Sequence, residues 1–141
     1  MFGQTVTVFS KHGATWYPRV FHDTQVARDR GSITRAYGET ANETVSVHVK
    51  RKGYLAEGLY TVYEPKAWEA LQSVSGAVSF KPGDVLWLGD WGTVDEHLQP
   101  IADNQYPKGF YSYMRGEYDC VYAITQAATF ETLPHWEIGG R

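Results

Sequence analysis

Cysteine and long apolar runs are nearly absent from this sequence. One cysteine, Cys120, occurs in 141 residues, which excludes an internal disulfide framework and a multi-cysteine zinc site. No uncharged apolar run reaches the roughly 20 residues that a transmembrane helix requires, and residues 1–5 lack the basic region that opens a secretory signal. We therefore expect a soluble chain without a membrane span, not exported by a standard signal.

Charge is also sparse. Charged residues make up 21% of the chain and the formal net charge is −3, which excludes a polyelectrolyte tail and a strongly basic nucleic-acid-binding protein. The single basic run, Lys50-Arg51-Lys52, ends a predicted strand and precedes Gly53, a pattern typical of a charged turn. The length is that of one domain, and we predict a single β-rich domain over residues 1–141.

Aromatic side chains are what the sequence has in excess. Phe, Trp and Tyr together make up 15% of the residues, and such enrichment favours β-structure and interfaces over a helical bundle. Hydrophobic residues reach 43%, which is enough for a folded core in a chain of this size.

Alternation with a period of two predicts most of the secondary structure. The clearest case is Glu43–Lys50, where three valines alternate with polar residues, as in a strand with one wet face. Residues 84–88 follow the turn sequence Lys81-Pro82-Gly83 and predict a buried strand. Further strands are predicted over residues 4–9, 16–25, 118–130 and 135–138.

Two of these strands carry more specific predictions. Pro18 cannot donate a ladder hydrogen bond, so it must lie at an edge or a bulge of the strand over residues 16–25. The strand over residues 118–130 is apolar on both faces, so we place it centrally in the sheet, with Cys120 in the core. One of its faces carries Tyr118, Cys120, Tyr122 and Ile124.

One helix and one long loop complete the predicted architecture. Pro65 suits a first helical position, and apolar residues follow at helical spacing over residues 64–74. Residues 89–115 are rich in Gly, Asp and aromatics and predict a loop, and loops of that length in a compact domain are usually functional. The predicted fold class is mostly β: a small antiparallel β-barrel or sandwich with one short helix and long loops.

Motifs that would carry catalysis are missing. The sequence has neither a Gly-rich phosphate loop nor a nucleophile elbow, and its five histidines form no metal-binding pair at local spacing. The run Asp95-Glu96-His97, with Asp90 upstream, lacks the alternating acidic pattern of a calcium loop. We predict a protein that is not an enzyme and that needs no cofactor or metal.

The aromatic residues around the long loop allow three interpretations. They can complete the core and rim of a small barrel, or they can anchor a subunit interface, where Trp and Tyr are frequent. Alternatively, Trp87, Trp91, Tyr111 and Tyr113 can form a sugar-stacking platform. The candidate interface or lumen-facing residues are Trp87, Trp91, Asp95, Glu96, Phe110, Tyr111 and Tyr113.

Three stretches taken in order suggest a family. The first is the strand Thr5-Val6-Thr7-Val8-Phe9 with Trp16-Tyr17-Pro18-Arg19-Val20, and the second is the alternating stretch Glu43-Thr44-Val45-Ser46-Val47-His48-Val49. The third combines Lys81-Pro82-Gly83-Asp84 with the closing Leu133-Pro134-His135-Trp136-Glu137-Ile138-Gly139-Gly140. In this order they resemble the minor capsid or head-completion proteins of tailed bacteriophages, which include head–tail connector "stopper" proteins. Residues 89–115 are longer and more aromatic than that pattern, and residues 64–74 more helical.

The resemblance implies a role in the phage neck. It implies a β-barrel subunit of a homo-oligomeric, dodecameric ring at the head–tail junction of the virion, assembled in the host cytoplasm. Its partners would be portal or adaptor proteins above and tail proteins below, with DNA passing through without sequence-specific binding and no membrane involved. We expect residues 89–115 to reach the lumen or a neighbouring ring. A tail-completion or tail-terminator protein is the first alternative, and a small carbohydrate-binding module is the second.

Overall fold

Strands dominate the structure, a computed structural model that describes residues 4–30, 43–50, 52–55, 58–74, 77–130 and 135–141. The strands of this part are β1 (Gln4–His12), β2 (Thr15–Arg30), β3 (Glu43–Lys50), β4 (Lys52–Leu55), β5 (Gly58–Val62), β6 (Ala77–Val78), β7 (Val85–Trp87), β8 (Ile101–Ala102), β9 (Val121–Phe130) and β10 (His135–Gly140). The helices are α1 (Pro65–Glu69), α2 (Phe110–Glu117) and two short 3-10 helices, Trp91–Thr93 and Asp103–Gln105.

Six of these strands close into an antiparallel barrel. Their order is β1-β7-β9-β10-β3-β2, and β2 pairs again with β1; all six pairings are antiparallel. Closure pairs the backbone on both sides of each strand and removes free sheet edges. The mostly β fold predicted from the sequence is confirmed, and the architecture is a barrel rather than a sandwich.

Strand β2 also carries the strands outside the barrel. It pairs with β8 at Thr15 and Trp16, and with β4 at Phe21; β5 then pairs with β4, and β6 with β5. Pro18 lies opposite Phe9 of β1, in a stretch where the described residues place no second strand beside β2. Its position at a local edge is the one that its missing N–H requires.

The barrel interior forms the first of two hydrophobic cores. Each of the six barrel strands contributes to it, and β6 and the residues after it close one side. Its buried members are Val6, Val8, Phe21, Val45, Val47, Val49, Val78, Phe80, Leu86, Tyr122, Ile124 and Ile138. Strand β9 lies between β7 and β10, as every strand of a closed barrel lies between two others. Its Thr125 and Gln126 are exposed, so the prediction that both of its faces are apolar holds only for its first half.

The second core lies on the outer face of the same barrel wall. It joins outward residues of four barrel strands to the segment between β7 and β9, and its buried members are Phe9, Trp16, Val20, Val85, Trp91, Ile101, Phe110, Met114 and Val121. The neighbours Val8 and Phe9 are both fully buried, one in each core. Successive strand residues face opposite sides of a sheet, so β1 is covered on both faces.

Helix α1 is shorter than the sequence predicts. Pro65 occupies its first position, as expected, but the helix ends at Glu69 rather than at residue 74. Trp68 is its one buried residue, and its indole Nε1 donates to the carbonyl oxygen of Lys11 at 2.9 Å. The Trp68 ring also meets His12 of β1 at 5.5 Å and Tyr17 of β2 at 6.4 Å, so this one side chain anchors the short helix over the β1–β2 hairpin.

Two further predictions need correction. Residues 89–115 are not one loop, because α2 begins at Phe110 and the two 3-10 helices and β8 precede it. Strand β9 begins at Val121, and Cys120 before it is half-buried with a left-handed φ of 60°. This backbone turn breaks the predicted alternation, so Tyr118 packs against the outer core while Cys120 packs against the barrel interior.

Some of the sequence features discussed above lie on residues that the structure does not describe. Residues 1–3, Arg51 of the predicted basic turn, and Leu133 and Pro134 of the closing stretch lie outside the described residues. Within the described part of the chain, no helix is long and apolar enough to cross a membrane.

Candidate functional site

The candidate residues are Trp87 at the end of β7 and residues of the β7–β9 connection, residues 88–120, which lies on the outer face of the barrel. Phe9 of β1 is at the centre of the contact between this connection and the barrel wall. Its ring centroid lies 5.1 Å from that of Trp91 and 4.9 Å from that of Phe110, both in edge-to-face geometry. Such pairs are favourable because the positive ring edge meets the negative ring face. Phe110 is fully buried and Trp91 is 6% exposed, so both residues are core.

A buried threonine fastens the start of this connection to the barrel. Thr7 Oγ1 donates to the carbonyl oxygen of Gly89 at 2.8 Å and accepts from the Trp91 amide at 3.0 Å. A Cβ at position 89 would lie 2.6 Å from the Trp87 ring, closer than carbon atoms approach, so glycine is required there. The chain therefore leaves β7 along a single defined path.

Asp103 fixes the start of α2. Its Oδ1 accepts from the Phe110 amide and from the Trp16 indole Nε1, both at 2.9 Å. Gly109, the N-cap residue with φ 88°, has no side chain to cap the helix, so Asp103 supplies the missing acceptor from seven positions upstream. The bonds from Phe110 and Trp16 hold the pKa of Asp103 below its usual range.

The segment around Asp95 is an ordered turn. The Asp95 carboxylate accepts from the amides of His97 at 3.1 Å and Gln99 at 2.9 Å, so both oxygens serve the backbone. Glu96 and His97 face solvent, with their side-chain O and N atoms 3.4 Å apart. No group of three His, Cys, Asp or Glu residues able to hold a metal occurs in the part of the chain described.

Two tyrosines, half-buried Tyr106 and exposed Tyr113, form an aromatic pair beside the start of α2. The ring centroids of Tyr106 and Tyr113 lie 4.5 Å apart with a 35° tilt, and Phe110 lies behind both rings at 5.5 and 6.3 Å. Burial raises the pKa of Tyr106, with a further contribution from Tyr113. Beside the pair is an open groove of about 280 Å³, lined by Tyr106, Pro107, Lys108, Gly109, Ser112 and Tyr113.

A second, more polar cleft of about 420 Å³ lies where the connection meets the end of β1. At its base Asp84, 1% exposed, pairs with Lys81 Nζ at 2.9 Å and accepts from the amides of Lys81 and Lys11 at 3.2 Å. Lys81 Nζ also donates to the Lys11 carbonyl oxygen. Burial raises the pKa of Asp84 to about 6, although Lys81 opposes the increase. These bonds tie the turn before β7 to the end of β1.

The structure divides the predicted site residues between core and surface. Trp91 and Phe110 are buried, and Trp87 is half-buried against Trp91 at 5.8 Å. Tyr111 is half-buried and its hydroxyl accepts from Arg115 at 3.1 Å. A sugar platform that includes Trp91 is therefore wrong, because its ring faces are covered by neighbouring rings.

The remaining predicted residues reach the surface in two places. Glu96 and half-buried Asp95 lie in the ordered turn, whereas Tyr113 lies on α2. Tyr106 and Lys108 line the groove with Tyr113 but are not among the site residues predicted from the sequence. The available signal was Gly109 followed by Phe110 and Met114 at i,i+4 spacing, which predicts a helix with its start beside Tyr106.

The fold and site define a small six-stranded antiparallel β-barrel protein with a long aromatic connection packed on its outer wall. Its sequence matches the family of unknown function DUF6751 over residues 1–141, and the chain belongs to that family. No curated protein matches the sequence, and no solved structure matches it.

Proposed function

We propose that this protein is a structural subunit of the neck of a tailed bacteriophage, where it forms a head-closure ring below the portal. The observation that carries the proposal is the closed antiparallel barrel, since this is the subunit architecture that the sequence resemblance implies. The barrel has a connection of more than thirty residues, 88–120, held against its wall by a continuous core. A barrel whose long connection is held in a fixed position suits a structural subunit of a larger assembly.

The use of the carboxylates supports a structural role. Asp84 pairs with Lys81, Asp103 caps α2, and Asp95 closes a turn. Each of these groups is thus occupied in holding backbone segments together. General acid–base catalysis needs a carboxylate aimed at a substrate position, and none of the three is available for that.

The charge of the chain suits a DNA channel that does not bind DNA. The formal net charge is −3, and a protein that neutralised phosphates with many Lys and Arg side chains would gain salt-dependent affinity and slow the passage of the genome. In the proposed ring, the subunits contact one another head to tail, portal or adaptor proteins lie above, and tail proteins lie below.

Immunogold electron microscopy tests this role directly. Antibody against the chain is applied to intact phage particles from a strain that produces it. Gold at the head–tail junction supports the proposal. Label spread over the capsid, or particles that carry the protein nowhere, would overturn it.

A tail-terminator role is the nearest alternative, and deletion of the gene separates the two. Loss of a head-closure protein leaves heads that release their DNA, whereas loss of a terminator leaves tails of abnormal length. Complementation with the wild-type gene controls for effects on neighbouring genes.

A carbohydrate-binding module is the alternative from a different class. The pair formed by half-buried Tyr106 and exposed Tyr113 favours it, because pyranose rings stack on aromatic faces. A glycan-array signal that Tyr113→Ala abolishes would support this function. Absence of binding across the array would count against it.

A further inference from the structure

Two exposed apolar features stand out in the described part of the chain. Val94 is 49% exposed and Tyr113 is 36% exposed, and they are the two most exposed large hydrophobic side chains there. Val94 projects from the turn at residues 93–97, while Tyr113 borders the groove beside α2. Val94 forms an apolar knob, and the groove lined by Tyr106 and Tyr113 forms an apolar hollow.

The turn holds the Val94 knob in a fixed position. The amides of Val94 and Asp95 both donate to the Trp91 carbonyl oxygen at 2.9 Å, and Trp91 itself is buried. On the far side, Leu98 packs against the outer core with a left-handed φ of 48°. Together with the Asp95 bonds, these contacts order the turn before any partner arrives, which lowers the entropy cost of binding.

The hollow is apolar and also fixed. The rings of Tyr106 and Tyr113 form one wall, backed by Phe110. The rest of the lining is Pro107, Lys108, Gly109 and Ser112. Because Asp103 caps the first residue of α2, the wall keeps its position relative to the barrel. Its volume of about 280 Å³ is ample for a small aliphatic side chain.

Charges beside the knob and the hollow have opposite signs. Glu96, whose side chain is 82% exposed, lies two residues after Val94, and Asp95 lies between them. Lys108 is exposed at the rim of the groove. An apolar contact flanked by an acidic group on one side and a basic group on the other has both attraction and a preferred orientation.

We propose that the turn at residues 93–97 of one copy of this chain docks into the Tyr106–Tyr113 groove of a second copy. Val94 enters the hollow and Glu96 faces Lys108 of the neighbour. The two patches differ, so the contact is heterologous, and repeated contacts of this kind generate a ring or a filament. This contact rests on the proposed function, since it is the contact between successive subunits of the ring.

A cross-linking experiment tests the contact in the full-length chain. Two variants, Val94→Cys and Ser112→Cys, are prepared with Cys120→Ser and mixed under mild oxidation. We expect a disulfide-linked dimer in the mixture. The control mixture replaces Ser112→Cys with Lys66→Cys, a matched exposed site on α1, and should form the dimer about tenfold more slowly or not at all.

A charge-reversal series tests the same contact with Cys120 intact. It therefore tests whether the turn docks into the groove even if Cys120→Ser fails to fold. Glu96→Lys and Lys108→Glu should each weaken self-association in sedimentation velocity by about tenfold. The double variant should recover most of the loss, while Lys66→Glu should have no effect. Equal association of the single variants and the wild type, or no recovery in the double variant, would overturn the contact.

The same cysteine pair, introduced into phage particles, separates this inference from the proposed function. Protein present at the head–tail junction without cross-links between positions 94 and 112 would refute the contact and leave the neck role standing. Cross-links in the purified protein combined with particles that lack it would refute the neck role and leave the contact standing.

Discussion

The guanidinium of Arg19 donates from Nη2 to the carbonyl oxygen of Val74 at 2.7 Å. The same side chain, 7% exposed, donates from Nε to the Ala77 carbonyl oxygen at 2.8 Å. Arg19 therefore joins β2 to the chain on either side of residues 75–76 and holds β6 at its place beside the barrel. Planar guanidinium groups suit this task because their donors diverge at fixed angles.

Replacement of Arg19 should loosen this join. Arg19→Met keeps the apolar stem but removes the donor to the carbonyl oxygens of Val74, Ala77 and Pro18, at an expected cost of about 2–4 kcal/mol in the free energy of unfolding. Urea denaturation measures the loss. Arg19→Lys should recover only part of it, because an ammonium cannot reach both carbonyls in the same geometry; full recovery would contradict the two-point join.

Thr7 provides a second test, of how the β7–β9 connection is attached. Thr7→Val preserves shape but removes the hydroxyl that bonds Gly89 and Trp91, so unfolding should become easier by about 1–3 kcal/mol. The matched control is Thr5→Val on the same strand, whose hydroxyl contacts His22 near the surface at 3.1 Å. A loss as large in the control as in Thr7→Val would show that the effect belongs to the strand and not to this link.

Asp84 should make stability depend on pH in mildly acidic solution. Its pKa is about 6 in the folded protein against an ordinary 3.8, so between these values the folded state holds a proton that the unfolded state has released. Stability from this group therefore falls as pH rises from about 4 to 6, by about 3 kcal/mol at most.

Asp84→Asn isolates this contribution, because it cannot titrate. Chemical denaturation of wild type and variant at intervals from pH 4 to 7 gives the difference in unfolding free energy. We expect wild type to lose stability relative to Asp84→Asn as pH rises through this window. Parallel curves would contradict the raised pKa.

Asp103 should act in the opposite sense and at lower pH. Its pKa is lowered in the folded state, so the stability it contributes is present above its ordinary pKa of 3.8 and is lost as pH falls below that value. Asp103→Ala removes the cap of α2 and the acceptor of the Trp16 indole, at an expected cost of about 1–2 kcal/mol at neutral pH.

Thermal denaturation and tryptophan fluorescence measure the effect of this variant. The control is Asp119→Ala, an exposed carboxylate just before β9, which should change the midpoint little. Equal midpoints for Asp103→Ala and wild type would show that α2 starts without this cap.

Trp91 and Tyr113 should respond to truncation very differently. Trp91→Ala empties a position in the outer core and should cost about 3–5 kcal/mol, whereas Tyr113→Ala removes a ring that is 36% exposed and should cost under about 1 kcal/mol. Guanidinium denaturation of both variants compares them. If Trp91→Ala lowered the free energy of unfolding by less than about 1 kcal/mol, the Trp91 ring would not be part of the core. It would then be a surface residue, as the interface interpretation of the sequence holds.

Local patterns account for much of this fold. The valines of β3 and the run from Val85 to Trp87 follow simple strand rules, and both strands occur where alternation and turn signals predict them. Pro65 starts a helix because its ring fixes φ at a helical value and its missing N–H is not needed in the first turn. Gly83 forms a turn with φ 95° because it has no Cβ to oppose a positive φ.

The candidate site depended on contacts that sequence spacing does not reveal. Asp103 caps Phe110 and bonds Trp16, 87 positions away, and α2 forms where the aromatic sequence looks like loop. Whether Trp91 is core or surface depends on Phe9 lying beneath it, which is a tertiary fact. The barrel order likewise joins β10 to β3 across most of the chain.

The place of β10 in the barrel has a consequence for synthesis. This strand lies between β9 and β3, and it is the last of the six along the chain, so a nascent polypeptide carries two incomplete edges until residues 135–140 leave the ribosome. Val45 and Val47, already made, stay uncovered through that interval. Closure of the barrel therefore has to wait for residues 135–140, and until then the open edges of β9 and β3 favour edge-to-edge association between chains.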